Sequence, residues 1–295
     1  MRRSLLLLVL LPLPSCASAG PSAPTSPSDS APTGLLPRME AMTKGIPRLA
    51  WDVLTEGESG STAMDAGYKV QGRFVRDEGI RIKATAMGSA HGMSHGAPPG
   101  PNLHQLLYMP DRVAVALSVL TFESGRNTRC LPHLLFRARR GDPDHAAVDP
   151  RLLPGNDPIL LRYHDPLTAY QLAPAILFGH EPGLEEAGTA TVRGAACVIL
   201  RSRHVADAGT RRGPEGWYPA RSVEKRFYIE AASGLIAALE IEITGASSRV
   251  RMRHEVASRQ TFGGLDLPRF VEIHETGPEG SKQSRQRVDL DPGDT

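Results

Sequence analysis

Residues 224–243 read EKRFYIEAASGLIAALEIEI. Phe227 and Ile229 alternate with polar neighbours in the first half, and Leu239, Ile241 and Ile243 alternate with Glu240 and Glu242 in the second. Between them Ser233 and Gly234 supply the residue types of a tight turn. Period-two alternation on both sides of such a turn predicts an antiparallel hairpin with one apolar and one solvated face. A strand of this kind stands only where something covers its apolar side.

The same alternation extends outward from the hairpin. Downstream, RVRMRHEV (249–256) sets Val250, Met252, His254 and Val256 against Arg249, Arg251 and Arg253. LDLPRFVEIHE (265–275) and QSRQRVDL (283–290) add two more strands. Upstream, AGTATVRGAACVILRSR (187–203) reads as strand, Gly-containing turn and strand. AGYKVQGRFVRDEGIRIKATA (66–86) reads as another hairpin, with Tyr68, Val70 and Phe74 on one face and Ile80, Ile82 and Ala84 continuing it on the partner strand. A short helix is expected over Met39 to Leu54. The stretch from about 88 to 183 reads as irregular, with one apolar run at RVAVALSVLTF (112–122) and one helix at LTAYQLAPAILFG (167–179). The expected class is mainly β with some α: a curved antiparallel sheet or half-barrel, with a few helices packed on its concave face.

The first residues, MRRSLLLLVLLPLPSCASAG, place Arg2 and Arg3 ahead of an apolar run from Leu5 to Leu13. That run is too short to span a bilayer as a helix and has the form of an export signal. Two processing sites overlap in it. Leu13-Pro14-Ser15-Cys16 has the form of a lipobox, which makes Cys16 a lipidated N-terminus and residues 1–16 the signal region; Ala17-Ser18-Ala19 is an A-x-A site for cleavage after Ala19. Residues 17–36 are rich in Ser, Pro and Ala and read as a disordered tether. A flexible coil of its core, 17–33, would reach about 20–25 Å. Residues 37–292 are then expected to form one half-barrel domain. The protein is expected to be exported to the periplasmic side of the cell envelope, with membrane contact through its N-terminal anchor.

Losing Arg2 and Arg3 with the signal lowers the 34 basic residues to 32, equal to the 32 acidic ones. A near-neutral protein is poorly suited to a nucleic-acid partner, which needs many phosphate contacts. Cys130 and Cys197 remain in an oxidising compartment. A disulfide between them would close a long loop and add roughly 4 kcal/mol in the chain-entropy picture. Two buried unpaired thiols are an equally open reading.

The consecutive one-sided strands with helices inserted mid-chain resemble the bacterial lipoprotein-localisation carriers and the N-terminal domain of the sigma-E regulatory protein. The resemblance rests on FYIEAASGLIAALEIEI (227–243), close to that group's strand with an acidic-x-x-Ser-Gly-Leu turn, on GTATVRGAACVIL (188–200) and FGGLDLPRFVEI (262–273), and on GYKVQGRF (67–74). It implies a half-barrel wrapped around helices, with a concave apolar face that takes a lipid or lipoprotein acyl chain. Tyr68, Val70, Phe74, Ile80, Ile82, Phe227, Ile229, Leu239 and Ile241 are the positions expected on that face. The same residues serve equally as an ordinary core packed on the helices.

The chain contains no nucleophile elbow, H-E-x-x-H zinc motif, glycine-rich phosphate cradle or paired C-x-x-C. GESGS at Gly57 lacks the last glycine of a serine motif. Glu185 with Glu186, and Asp289 with Asp291, read as solvated faces rather than acid/base pairs. Neither an enzymatic activity nor a cofactor is expected. One cluster carries ligand chemistry: MGSAHGMSHG (87–96) brings Met87, His91, Met93 and His95 together, and imidazole with thioether suits copper. An exposed polar loop is the competing reading. Arg249, Arg251 and Arg253 read as a solvated outer face, with an anionic lipid or acidic partner as the alternative. Two functions therefore stand: a non-enzymatic envelope protein that binds a lipid or lipoprotein segment or acts as a docking module, and a metal-handling protein built on the His91/His95 loop.

Overall fold

The computed structural model describes residues 34–56, 68–86, 101–110, 112–122, 128–139, 166–181, 183–205, 222–244, 249–278 and 280–291. The side chains of the strands between 101 and 139 are not among those described. The signal region with Cys16, the tether up to residue 33 and the 87–96 loop lie outside the described residues.

Among the described residues thirteen strands form one antiparallel sheet. They are β1 Arg48–Glu56, β2 Tyr68–Val75, β3 Gly79–Ala86, β4 Pro101–Tyr108, β5 Arg112–Phe122, β6 Thr128–Arg139, β7 Glu185–Val192, β8 Ala195–Val205, β9 Ser222–Glu230, β10 Ile236–Thr244, β11 Arg249–Phe262, β12 Leu265–Gly277 and β13 Gly280–Asp291. The order across the sheet is β6-β5-β4-β3-β2-β1-β13-β12-β11-β10-β9-β8-β7. The first and last strands pair in the middle, Val53 opposite Val288, and two consecutive strands, β6 and β7, form the two edges. The sheet is open and curved, and among the described residues three short helices lie on its concave side: α1 Leu35–Thr43, α2 Pro166–Leu172 and α3 Pro174–Gly179.

The helix expected over Met39 to Leu54 is instead α1 followed by β1. Gly45 and Pro47 separate the two, and beyond them Leu49, Trp51 and Val53 alternate inward, each buried. The stretch expected to be irregular contributes three strands, β4, β5 and β6. Their apolar runs show little alternation, so the period-two signal is weak there. Pro132 sits within β6, where an edge strand tolerates the missing N–H. The expected helix at 167–179 is two helices: Pro174 occupies the first turn of α3, and α2 ends just before it.

The quoted hairpin is β9–β10, with Leu239 opposite Phe227 and Ile243 opposite Val223. Its turn explains the acidic-x-x-Ser-Gly-Leu pattern. The Ser233 hydroxyl donates to the Glu230 carboxylate, the Gly234 N–H donates to Glu230 O at 2.8 Å, and Gly234 takes φ +79°, which a side chain resists. Arg38 of α1 donates to Ala231 O at 2.8 Å, fixing the helix to this turn.

Candidate functional site

Strand register lays the concave face out in rows. Phe227, Leu239, His254 and Ile273 are successive cross-strand partners on β9, β10, β11 and β12, and Lys225, Ile241, Met252 and Glu275 form the next row. Of the nine positions expected on this face, Val70, Phe74, Ile80, Ile82, Phe227, Ile229, Leu239 and Ile241 are all buried and belong to one continuous apolar cluster. The Tyr68 side chain is outside the described residues. Leu167 and Leu172 of α2 and Leu177 and Phe178 of α3 complete the cluster. The rings of Tyr170, Phe178 and Phe227 stack mutually with centroids 4.7–5.0 Å apart. The centre of the concave face is therefore filled by its helices.

Two polar features sit inside this apolar face. Lys225 donates to both oxygens of Glu181, at 2.8 and 2.6 Å, and both side chains are almost wholly buried. The Ser202 hydroxyl donates to Glu181 at 2.9 Å, and the Tyr170 hydroxyl donates to it as well. This cluster ties Glu181, two residues past α3, to β8 and β9, with α2 joining through Tyr170. His254 is the second feature. It is fully buried, neither ring nitrogen has a partner among the described residues, and burial pushes its pKa down to about 4. The Nε2 of Gln171 in α2 likewise has no partner, while its Oε1 accepts from the Ile236 N–H at 2.8 Å.

Where the helices meet the sheet rim a cleft of about 450 Å³ opens. It is lined by Glu40 and Thr43 of α1, by Phe74 with Arg76 and Asp77 of the β2–β3 turn, by Pro110, and by the run Leu172 to Ile176 that joins α2 to α3. One wall is polar and the other apolar. Phe74 and Leu172 also belong to the central cluster, so the floor of the cleft is the end of the concave core. Arg76 is fixed there by Nη2, which donates to the main-chain carbonyls of Ile46, at 2.9 Å, and Thr43. Those carbonyls lie at and beyond the C-terminus of α1, where orphan acceptors need donors.

The outer face gives the arginine stripe its role. Arg249 pairs with Glu242 at 2.6 Å, Arg251 reaches Glu240 and Glu242 at 3.5 Å, and Arg253 bonds Glu255 at 2.9 Å. The hydrogen bond from Arg249 holds the Glu242 carboxyl below the usual range. This is the solvated outer face, with its charges paired across β10 and β11 and, for Arg253 with Glu255, along β11. Glu185 pairs with Arg201 and Asp289 with Arg287, also on the surface. Cys197 is a free, buried thiol donating to Ala195 O at 3.5 Å, so the disulfide to Cys130 is not formed. Their strands, β6 and β8, lie towards opposite ends of the sheet order. Burial and the nearby Glu230 charge push the Cys197 thiol pKa up. Among the described residues no three His, Cys, Asp or Glu side chains converge on one point, and no helix is long and apolar enough to cross a membrane.

The chain is similar in structure to several solved proteins. A DUF1329 family protein from Desulfovibrio piger is 12% identical, with 88% of this chain and 92% of that one covered and a TM-score of 0.42. A putative outer membrane lipoprotein-sorting protein domain from Vibrio parahaemolyticus is 8% identical over 87% and 90% of the two chains, with a TM-score of 0.43. A LolA superfamily protein from Nitrosomonas europaea is 10% identical over 88% and 93%, with a TM-score of 0.42. They include the lipoprotein-localisation group that the sequence resembles. No protein-family model and no curated protein matches the sequence. The half-barrel rests on the strand ladder itself.

Proposed function

We propose that this is a non-enzymatic cell-envelope protein that binds the apolar part of a lipid or lipoprotein segment, exported by its N-terminal signal and held at the membrane through Cys16. The observation that carries the reading is the 450 Å³ cleft, whose floor is continuous with the concave core at Phe74 and Leu172. Its volume lies within the range of about 300–1,000 Å³ typical of small-molecule sites. Three short helices among the described residues cover the concave face, and of these α2 and α3 have only seven and six residues. Such helices have little stability of their own and hold their place by packing. An acyl chain entering the cleft meets the exposed Ala175 and the half-buried Ile176 first, and by displacing the α2–α3 junction it reaches the buried Leu172 and Phe74 on the floor.

Native mass spectrometry after gentle purification tests this reading. A copurified lipid mass, displaced by an apolar fluorescent probe that binds at micromolar concentration, is the expected result. A folded protein with no bound lipid and no affinity for the probe overturns the reading. Metabolic labelling with a palmitate analogue tests the anchor: label and membrane retention should both vanish in Cys16→Ser, and a Cys16→Ser protein that still fractionates with membranes refutes anchoring.

A further inference from the structure

The cleft carries charges of both signs. Arg76 is half-buried on its wall and makes no ion pair among the described residues. Its Nη2 is occupied by the Thr43 and Ile46 carbonyls, which leaves Nε and Nη1 for another acceptor. Glu40 and Asp77 line the same cleft, are exposed, and likewise pair with no cation among the described residues. The opposite wall, Leu172 to Ile176, is apolar.

A purely apolar ligand has no use for these three charges, and a purely anionic one would meet two carboxylates for a single guanidinium. We propose that the cleft recognises a zwitterionic amphiphile of the phosphoethanolamine type. Arg76 receives the phosphate, Glu40 and Asp77 receive the ammonium, and the first methylenes of the acyl chains lie on Ala175 and Ile176. This rests on the lipid-binding reading and adds a headgroup to it. A guanidinium already held by two main-chain carbonyls loses little side-chain freedom on binding, and its planar fork suits phosphate oxygens. The ammonium supplies N–H donors to both carboxylates, as charge-assisted hydrogen bonds need.

Isothermal titration with water-soluble dihexanoyl lipids tests the proposal. Dihexanoyl-phosphatidylethanolamine should bind the full chain about tenfold more tightly than uncharged dihexanoylglycerol, and severalfold more tightly than dihexanoyl-phosphatidylglycerol, the order expected of partly exposed charge-assisted bonds. In a Glu40→Gln/Asp77→Asn variant the preference for ethanolamine over glycerol headgroups should fall to about one. In Arg76→Gln the preference for phospholipid over dihexanoylglycerol should disappear. If loss of the α1 carbonyl contacts unfolds Arg76→Gln, the carboxylate variant decides, because both of its sites are exposed. Equal affinity for all three lipids overturns the headgroup proposal and leaves the lipid reading standing. Failure to bind any of them overturns both. Free O-phosphoethanolamine binding as tightly as the lipid would remove the apolar wall from the recognition and refute an amphiphile.

Discussion

The indole of Trp51 fills the space that a side chain on Gly72 would need: the two are cross-strand partners on β1 and β2, and a Cβ at residue 72 would come within 1.9–2.4 Å of three indole carbons. The slot belongs to the core, where Trp51 is 1% exposed. Gly72→Ala should therefore destabilise the protein by about 3 kcal/mol, at the upper end for overpacking, because the obstacle is a rigid ring rather than a flexible chain end. In urea unfolding, a Trp51→Leu/Gly72→Ala double variant should recover part of the loss, giving a coupling energy well away from zero. Additive losses would show that the ring does not set the cost.

The Lys225–Glu181 pair makes a second prediction. Lys225→Met leaves the Glu181 carboxylate buried without its cation and should cost about 3–5 kcal/mol, whereas Lys225→Met combined with Glu181→Gln should cost much less. The Ser202 and Tyr170 hydroxyls remain to bond the amide in the double variant. Equilibrium unfolding of the three variants checks this, and a double variant as unstable as the single would deny that the loss comes from a stranded charge.

His254 predicts an acid sensitivity with a definite sign. The folded protein holds it neutral, with its pKa lowered to about 4 by burial, while the unfolded chain takes up the proton at the ordinary value near 6.5. The unfolded state thus binds more protons between those values, and stability falls as pH drops through that window, by about 3 kcal/mol from this group alone. The contribution is intact above the upper value. His254→Gln should flatten the decline between about pH 7 and pH 4 measured by urea unfolding. An unchanged slope would mean that other groups govern it.

Some of this site can be read directly from the alternation. Extending the Phe227–Ile229 register back by two residues puts Lys225 on the buried face, and Met252–His254–Val256 puts the histidine there too. Glu181 gives no such signal, since it follows α3 in a short polar stretch and reaches Lys225 only once α3 is docked. The cleft is equally hidden, because it joins α1, a β-turn and the α2–α3 junction, which are up to 136 positions apart in sequence between Glu40 and Ile176. β4 to β6 escape notice because their apolar runs do not alternate cleanly, and β1 because Met39 and Met42 suggest a helix that Gly45 and Pro47 in fact end.

The last prediction separates a container from a core, and places the container. Ile241 is 1% exposed and lies across from Lys225 and Met252 in the filled centre of the concave face. Ile241→Glu would bury a carboxylate where Lys225, its cross-strand partner, already serves Glu181, which costs several kcal/mol, and the domain should unfold. Ile176 is half-buried at the lip of the cleft, on a helix that accepts glutamate, so Ile176→Glu should keep the β-rich circular dichroism spectrum. If the cleft is where apolar ligands enter, the same substitution should weaken binding of an apolar fluorescent probe by at least about tenfold, since a charge now stands on the apolar wall. A folded Ile176→Glu protein that binds the probe like the wild type would remove the cleft from the binding path. A folded Ile241→Glu protein that had lost the probe would instead move the ligand to the middle of the sheet, beneath α2 and α3.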